Sequence, residues 1–359
     1  LLNPGPVTLT PKVRAALKRE DWCHREAEFA SLTRDVLARL AQVYPEGQED
    51  FVAVLLTGSG TAAVEAMLCS LVPPDSRTLV AINGVYGDRM ADMLTAHGRQ
   101  VVPVVSAWED PVDLTAIEEQ LRLDEGIRHV VAVHHETTTG RLNDIPGLAA
   151  LCDRYDRSLL LDAVSSFGAE EIRLDSWPVT AMAATANKCL HGVPGLSFVL
   201  VRRDALESVH WNVPSVYLDL TRYAAGQQRE GFSPFTQAVH VGFALQEALA
   251  EHEEGGGRAA RLERYRTIAR HVSLTLAELG VEPLLPEIDT SAVLRAYHLP
   301  ERVAYETLHS RLKDDGFVIY AGQGRLRPNV FRIAHMGDIR AEDLERLSQA
   351  LTNALSDLT

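Results

Sequence analysis

Between about residues 50 and 205 the chain repeats one rhythm, short apolar runs separated by amphipathic stretches, and this limits its fold more than any other feature. Seven runs predict strands, at Phe51–Leu56, Thr78–Ile82, Gln100–Val104, His129–Val133, Ser158–Asp162, Met182–Thr185 and Leu196–Val201. Helical patterns lie between most of them, as at Thr61–Leu71, Leu114–Leu121 and Gly147–Tyr155. The runs are continuous Val, Leu and Ile rather than alternating apolar and polar residues, the mark of strands covered on both faces. Strands alternating with helices assemble into a mainly parallel sheet. The expectation is an α/β domain built on a seven-stranded sheet.

The rhythm changes near residue 236. A helical pattern runs from Thr236 to about His252, is interrupted at Gly255-Gly256-Gly257, and resumes to about Leu279. Strands are expected at Ala292–Tyr297, Phe317–Tyr320 and Val330–Ala334, with helices at Glu301–Lys313 and Ala341–Leu355. That is a smaller α+β unit, and 359 residues suffice for two domains. The expected partition is an N-terminal arm (1–14) packing on the small unit, a large domain (15–245) and a small C-terminal domain (246–359).

A net charge of −14 without a long basic run argues against nucleic acid or an anionic membrane as partner. It leaves anionic small substrates open, because a few arginines set the field inside one pocket. Cys23, Cys69, Cys152 and Cys189 show no CxxC pair and no metal-like spacing, so no metal site is expected and the thiols read as reduced, in a cytoplasmic protein. The opening Leu1–Pro6 does not read as a signal peptide, and no apolar run reaches the roughly 18 residues of a membrane span.

In parallel sheets ligands bind beyond the carboxyl ends of the strands. The polar motifs fall there: Gly58-Ser59-Gly60-Thr61, Asn83-Gly84-Val85-Tyr86-Gly87, Glu136-Thr137-Thr138-Thr139-Gly140, Asp162, and Asn187-Lys188. A lysine amine can form a Schiff base with the aldehyde of pyridoxal phosphate (PLP), and a carboxylate can keep its pyridine nitrogen protonated. Lys188, 26 residues beyond Asp162, supplies that pair. Either charge buried alone would be expensive. Taken singly, Lys188 reads as readily as a surface or salt-bridge residue; the pair favours chemistry.

Each remaining motif has a plainer reading. Gly58–Thr61 suits a phosphate held by small residues, hydroxyls and a helix N-terminus, and equally suits a glycine turn with a Ser/Thr cap. It is neither GxGxxG nor a P-loop, which argues against dinucleotides and ATP. Tyr86 can stack on a flat ring or simply pack, and Thr137 can bond a cofactor oxygen or cap a turn. Arg332, inside the apolar run Val330–Ala334, can grip a carboxylate or face water from an edge strand. Cys189 reads as a small packing residue. His24, Arg25, Arg325 and Arg327 line a pocket or are solvated.

Over nearly its whole length the chain resembles fold-type-I PLP enzymes, specifically the class V aminotransferases. The resemblance is carried by Asn3-Pro4-Gly5-Pro6, the Gly58–Thr61 loop, Asn83–Arg89, Glu136–Gly140, Asp162–Ser166, Ala186–Pro194, Phe317–Tyr320 and Phe331–Gly337. Within the class, Asp21-Trp22-Cys23, Ser165-Ser166-Phe167-Gly168 and Ala186-Asn187-Lys188-Cys189 are similar to the 2-aminoethylphosphonate–pyruvate group. His24-Arg25-Glu26 is similar to the alanine– and serine–glyoxylate branch. The resemblance implies Lys188 as the Schiff-base lysine, with Asn187 beside it, and Asp162 as the pyridinium partner. It implies Ser59, Gly60 and Thr61 at the phosphate, and Tyr86, Thr137 and Val164 at the ring. Thr236 is implied to reach the cofactor phosphate of a neighbouring subunit, making a homodimer with shared sites, and Arg332 to bind a substrate carboxylate with Arg25 as a further substrate residue. Two stretches depart from the aminoethylphosphonate pattern: Ser233-Pro234-Phe235-Thr236-Gln237 replaces a Thr-Pro-Pro-Thr type run, and Ala334-His335-Met336-Gly337 a small-polar one.

The expected activity is transfer of an amino group from a small amine or amino acid (2-aminoethylphosphonate-like, alanine or serine) to pyruvate or glyoxylate. The alternative keeps PLP but eliminates or replaces a β- or γ-substituent, or forms a carbon–carbon bond. A third possibility is a cofactor-independent binding protein on an inherited enzyme fold, since fold alone does not fix function.

Overall fold

The computed structural model describes residues 1–301 and 303–356. Arg302, inside an expected helix, and the last three residues of the expected small domain lie outside the described residues.

The large sheet comprises β1 (Phe51–Gly58), β2 (Arg77–Ile82), β3 (Gln100–Val105), β4 (Ile127–Val133), β7 (Ser158–Asp162), β8 (Val179–Thr185) and β9 (Gly195–Arg202). Between β4 and β7 sits a small hairpin, β5 (His135–Glu136) with β6 (Arg141–Leu142). The strand order is β1-β9-β8-β7-β4-β2-β3, so all seven expected strands form one sheet. Six run parallel. β9 alone opposes both neighbours, β8 and β1. Its direction follows from its connection: only residues 186–194 separate it from β8, too few for the dozen or more that a parallel crossover needs.

Alternate side chains of each strand enter opposite cores. In β1, Ala53 and Leu55 join Phe29, Leu32 and Val36 on one face, while Val54 and Leu56 join Val64, Met67 and Leu68 on the other. With both faces dry, polar groups are left the strand ends. There the order reverses beside β4: β2 passes outward to β3, whereas β4 passes inward to β7. The loops after β2 and β4 thus diverge and open the crevice typical of a switch point.

The smaller sheet comprises β10 (Leu294–His298), β11 (Tyr320–Ala321) and β12 (Val330–Ala334), in the order β10-β12-β11. Helices Gly257–Glu278, Tyr305–Asp314 and Ala341–Ser356 supply its core with Ile268, Leu308 and Leu351. Of the strand expected at Phe317–Tyr320, only Tyr320 pairs with β12, because residue 2 of the arm takes the other places. The Leu2 amide donates to the Val318 carbonyl, and the Leu2 carbonyl accepts from the Ala334 amide. The helix expected from Thr236 begins at Val239, since the Ala238 amide donates to Thr57 Oγ1 instead of entering a helical turn. Among the described residues no helix is long and apolar enough to cross a membrane.

Candidate active site

Lys188 lies on the short β8–β9 connection, at the carboxyl edge of the sheet. The connection folds back through bonds from the His191 amide to the Lys188 carbonyl and from the Gly192 amide to the Ala186 carbonyl. His191 has a left-handed backbone (φ +62°), uncommon outside glycine. Its Nε2 accepts from Tyr265 Oη at 2.6 Å and from the Gly337 amide at 2.9 Å. Asn187 is fixed by Thr185 Oγ1, which donates to its Oδ1 at 2.8 Å. The turn is therefore braced from behind, and the lysine points forward.

Lys188 Nζ donates to the carbonyl of Pro4 in the N-terminal arm. Burial brings its ammonium down to about 8; neighbouring Cys189 and Asp162 oppose the shift and Arg332 adds to it. Gly5 stands against the same side chain, where a Cβ would lie 2.9 Å from Lys188 Cδ, and its φ of +117° also calls for glycine.

Asp162 ends β7 and is buried. Its Oδ1 accepts from the Val164 amide at 2.9 Å, and its other oxygen makes no hydrogen bond among the described residues. Desolvation pushes its carboxyl up to about 6 against the pull of that amide, Lys188 and Arg89. One small cavity is lined by Asp162, Lys188, Tyr86, Thr137, Val164 and His135. A second, sharing Asp162, Tyr86 and Val164, continues to Thr61 and Arg89. The Arg89 guanidinium lies 4.8 Å from the Tyr86 ring centroid.

The second cavity ends at the helix Gly60–Leu71. Ser59 occupies the N-cap position but makes no side-chain cap, and both Ser59 and Thr61 are exposed. Free amides, two hydroxyls and the positive end of a twelve-residue helix suit a phosphate. Gly60 is required for closeness, since a Cβ there would stand 2.7 Å from a Val164 methyl.

Arg332 is buried on β12 and joins the smaller sheet to the turn of the β5–β6 hairpin. Its Nε donates to the Ala321 carbonyl at 2.9 Å, and its Nη1 to the Thr137 carbonyl at 2.7 Å and to Gln323 Oε1 at 3.0 Å. Two expected residues lie elsewhere in the chain. Arg25, expected at the substrate, lines neither cavity; it is exposed and donates to the Ser233 and Pro234 carbonyls at 2.8 and 3.0 Å. Its guanidinium thus holds the loop that carries Thr236, which is itself exposed.

Sequence reasoning missed two residues. Glu136 is fully buried; it accepts from Thr138 N and Oγ1 at 3.0 and 2.6 Å and from the Tyr86 amide at 3.3 Å. Burial raises its carboxyl to about 7. It secures the start of the helix carrying Tyr86, and the only hint was an acid three positions beyond an apolar run. His135 Nδ1 faces the Ser165 carbonyl at 3.3 Å and must carry the proton, which leaves the buried Nε2 an unpaired acceptor. Burial holds this ring neutral, its pKa near 3.

The donor set fits PLP part by part: an amine for the aldehyde, an open carboxylate oxygen for a protonated ring nitrogen, Tyr86 and Val164 on the same cavity for the ring, and a helix N-terminus for phosphate. A family comparison agrees. Residues 15–341 match the model of the aminotransferase class-V family, and the chain belongs to that family. It is 36% identical over 360 residues to a 2-aminoethylphosphonate–pyruvate transaminase of Bacillus cereus, covering 99% of this chain and 97% of that protein. Among solved structures, an aspartate aminotransferase of subgroup IV from Thermus thermophilus superposes with a TM-score of 0.89 at 28% identity, covering 100% of this chain and 99% of that one. An alanine–glyoxylate aminotransferase from Nostoc sp. gives a TM-score of 0.91 at 26% identity, covering 99% and 94%.

Proposed function

We propose that this aminotransferase uses PLP to move the amino group of a small acid-bearing amine, of the 2-aminoethylphosphonate, alanine or serine type, to pyruvate or glyoxylate. The observation that carries the reading is the placing of the Lys188 amine and the open Asp162 oxygen on one cavity with Tyr86 and Val164. When bound, PLP supplies an electrophilic aldehyde and a ring that takes up an electron pair.

The chain's own groups do the rest. At a pKa of about 8, roughly a tenth of Lys188 is neutral at pH 7, more than a hundred times the fraction of an ordinary lysine. That amine would hold the cofactor through its aldehyde and would carry a proton to and from the substrate carbon bearing nitrogen. Asp162 would hold a proton on the ring nitrogen through its open oxygen. Ser59, Gly60 and Thr61 would take the phosphate, and Tyr86, Val164 and Thr137 would hold the ring. Arg332 binds the acid group, leaving the amine facing Lys188. Thr236, exposed on its tethered loop, reaches the phosphate site of a second copy in a homodimer; Arg25 serves that site by fixing the loop.

Adding PLP to the purified protein should produce a visible absorbance that Lys188→Ala lacks. The loaded protein should then convert pyruvate or glyoxylate to the amino acid, one for each donor consumed. Absence of the absorbance overturns the cofactor reading; a released leaving group or a new adduct in place of amino transfer overturns the reaction.

A further inference from the structure

Arg332 reaches the cleft with part of its guanidinium already engaged. Nε is held by the Ala321 carbonyl and Nη1 by the Thr137 carbonyl and Gln323 Oε1. Nη2 makes no hydrogen bond among the described residues and is not sealed from solvent. A bidentate grip on an acid group therefore needs a second donor beside Nη2.

Gln323 has one. A guanidinium can only donate, so the amide atom facing Nη1 at 3.0 Å is the oxygen. That fixes the flip and turns Nε2 the other way. Nε2 makes no hydrogen bond among the described residues, is not sealed off, and belongs to a partly exposed side chain. The backbone beneath is clamped. The Gly322 amide donates to the Val330 carbonyl at 2.6 Å, and Gly324 lies so close to Trp108 that a Cβ would approach its ring at 2.6 Å. Arg325 pairs with Glu109 and covers Trp108 at 5.1 Å from the ring centroid. Trp108 and Glu109 belong to the loop after β3, so the large domain's edge holds Gln323 beside Arg332.

We propose that Gln323 is a specificity-determining residue that reads the substrate's acid group jointly with Arg332, anchoring on Nη1 through Oε1 and donating to an acid oxygen through Nε2. The inference rests on the reading of Arg332 as the acid-binding residue. The pair offers two donors and a single positive charge, which suits one carboxylate or one phosphonate on a short carbon chain.

The test uses the PLP-loaded enzyme with propionate and ethylphosphonate, acids without an amine, as competitive inhibitors. Gln323→Leu should raise the inhibition constant of the preferred acid about tenfold, the loss of one hydrogen bond to a charged group, and raise the donor KM in step. kcat should stay within about twofold, because the bond is made equally in the ground and transition states. Whichever acid loses more identifies the group that Gln323 reads. The same substitution is then made in an Arg332→Lys background, the cycle that separates direct donation from positioning. Direct donation predicts a further loss of at least threefold there. If the second loss vanishes, Gln323 only positions Arg332 and the proposal is overturned. If Arg332→Lys alone weakens neither acid, the assignment of Arg332 fails; if it weakens them and Gln323→Leu does not, the Gln323 proposal alone fails.

Discussion

Replacing Asp162 by Asn should make the cofactor-free protein more stable at alkaline pH while impairing the loaded enzyme. Burial raises the Asp162 carboxyl from 3.8 to about 6. The folded protein therefore holds this proton more tightly than the unfolded chain. Below pH 3.8 the group is protonated in both states and adds nothing. As pH rises from about 4 to 6 the unfolded chain ionises first, and above 6 the folded protein carries the full penalty. About two units at 1.36 kcal/mol each give a penalty of about 3 kcal/mol at pH 8. Asn retains an oxygen for the Val164 amide and never ionises, so the variant escapes it. The figure is a ceiling, since Lys188 also loses a neighbouring carboxylate. With an unfolding entropy of about 2.1 cal/mol/K per residue, 3 kcal/mol corresponds to about 4 °C in Tm. Scanning calorimetry of both cofactor-free proteins between pH 4 and 8 reads the difference directly. A gap that widens with pH in favour of Asn supports the argument, and a pH-independent gap or a less stable variant refutes it. With PLP bound, the order should reverse, because Asn cannot balance a protonated ring nitrogen.

Further outcomes test other parts of the site. In the cofactor-free protein, labelling of Lys188 by an amine-reactive reagent should rise with pH about a midpoint near 8; a midpoint above 10 would contradict its burial. Thr61→Val should weaken PLP binding about tenfold by equilibrium dialysis, the worth of one hydrogen bond to a charged group, with Tm of the cofactor-free protein little changed. Gly84→Ala should destabilise the fold by about 1–3 kcal/mol in denaturant unfolding. Its Cβ would stand 2.3 Å from the buried Glu136 carboxyl carbon, so an unchanged midpoint would mean that Glu136 moves freely.

The parallel sheet was readable because strands buried on both faces must be continuously apolar, and Asp162 and Lys188 stood out where those runs ended. Contacts between distant segments left no such trace. Nothing local distinguishes Phe317–Tyr320 from a paired strand; Leu2 displaces it, from the other end of the chain. Arg25 resembled a pocket arginine because its residue type suits anions, yet its donors meet two carbonyls over two hundred positions away. Glu136, His135 and Gln323 were overlooked for a related reason: a buried acid, a neutral imidazole and an oriented amide acquire their character from neighbours that only the fold supplies.

The Pro4 carbonyl on Lys188 and the seat of Leu2 between Val318 and Ala334 also bear on when the enzyme becomes competent. The Lys188 that Pro4 meets lies 184 positions further along the chain, but the seat of Leu2 lies over three hundred positions along it. At about 5–20 residues per second the large sheet has on the order of ten seconds or more to form before Ala334 emerges. Throughout that interval β12, which carries Arg332, is missing. Closure of the site thus waits for β12, and a chain cut short before that strand could fold its large sheet and still lack Arg332.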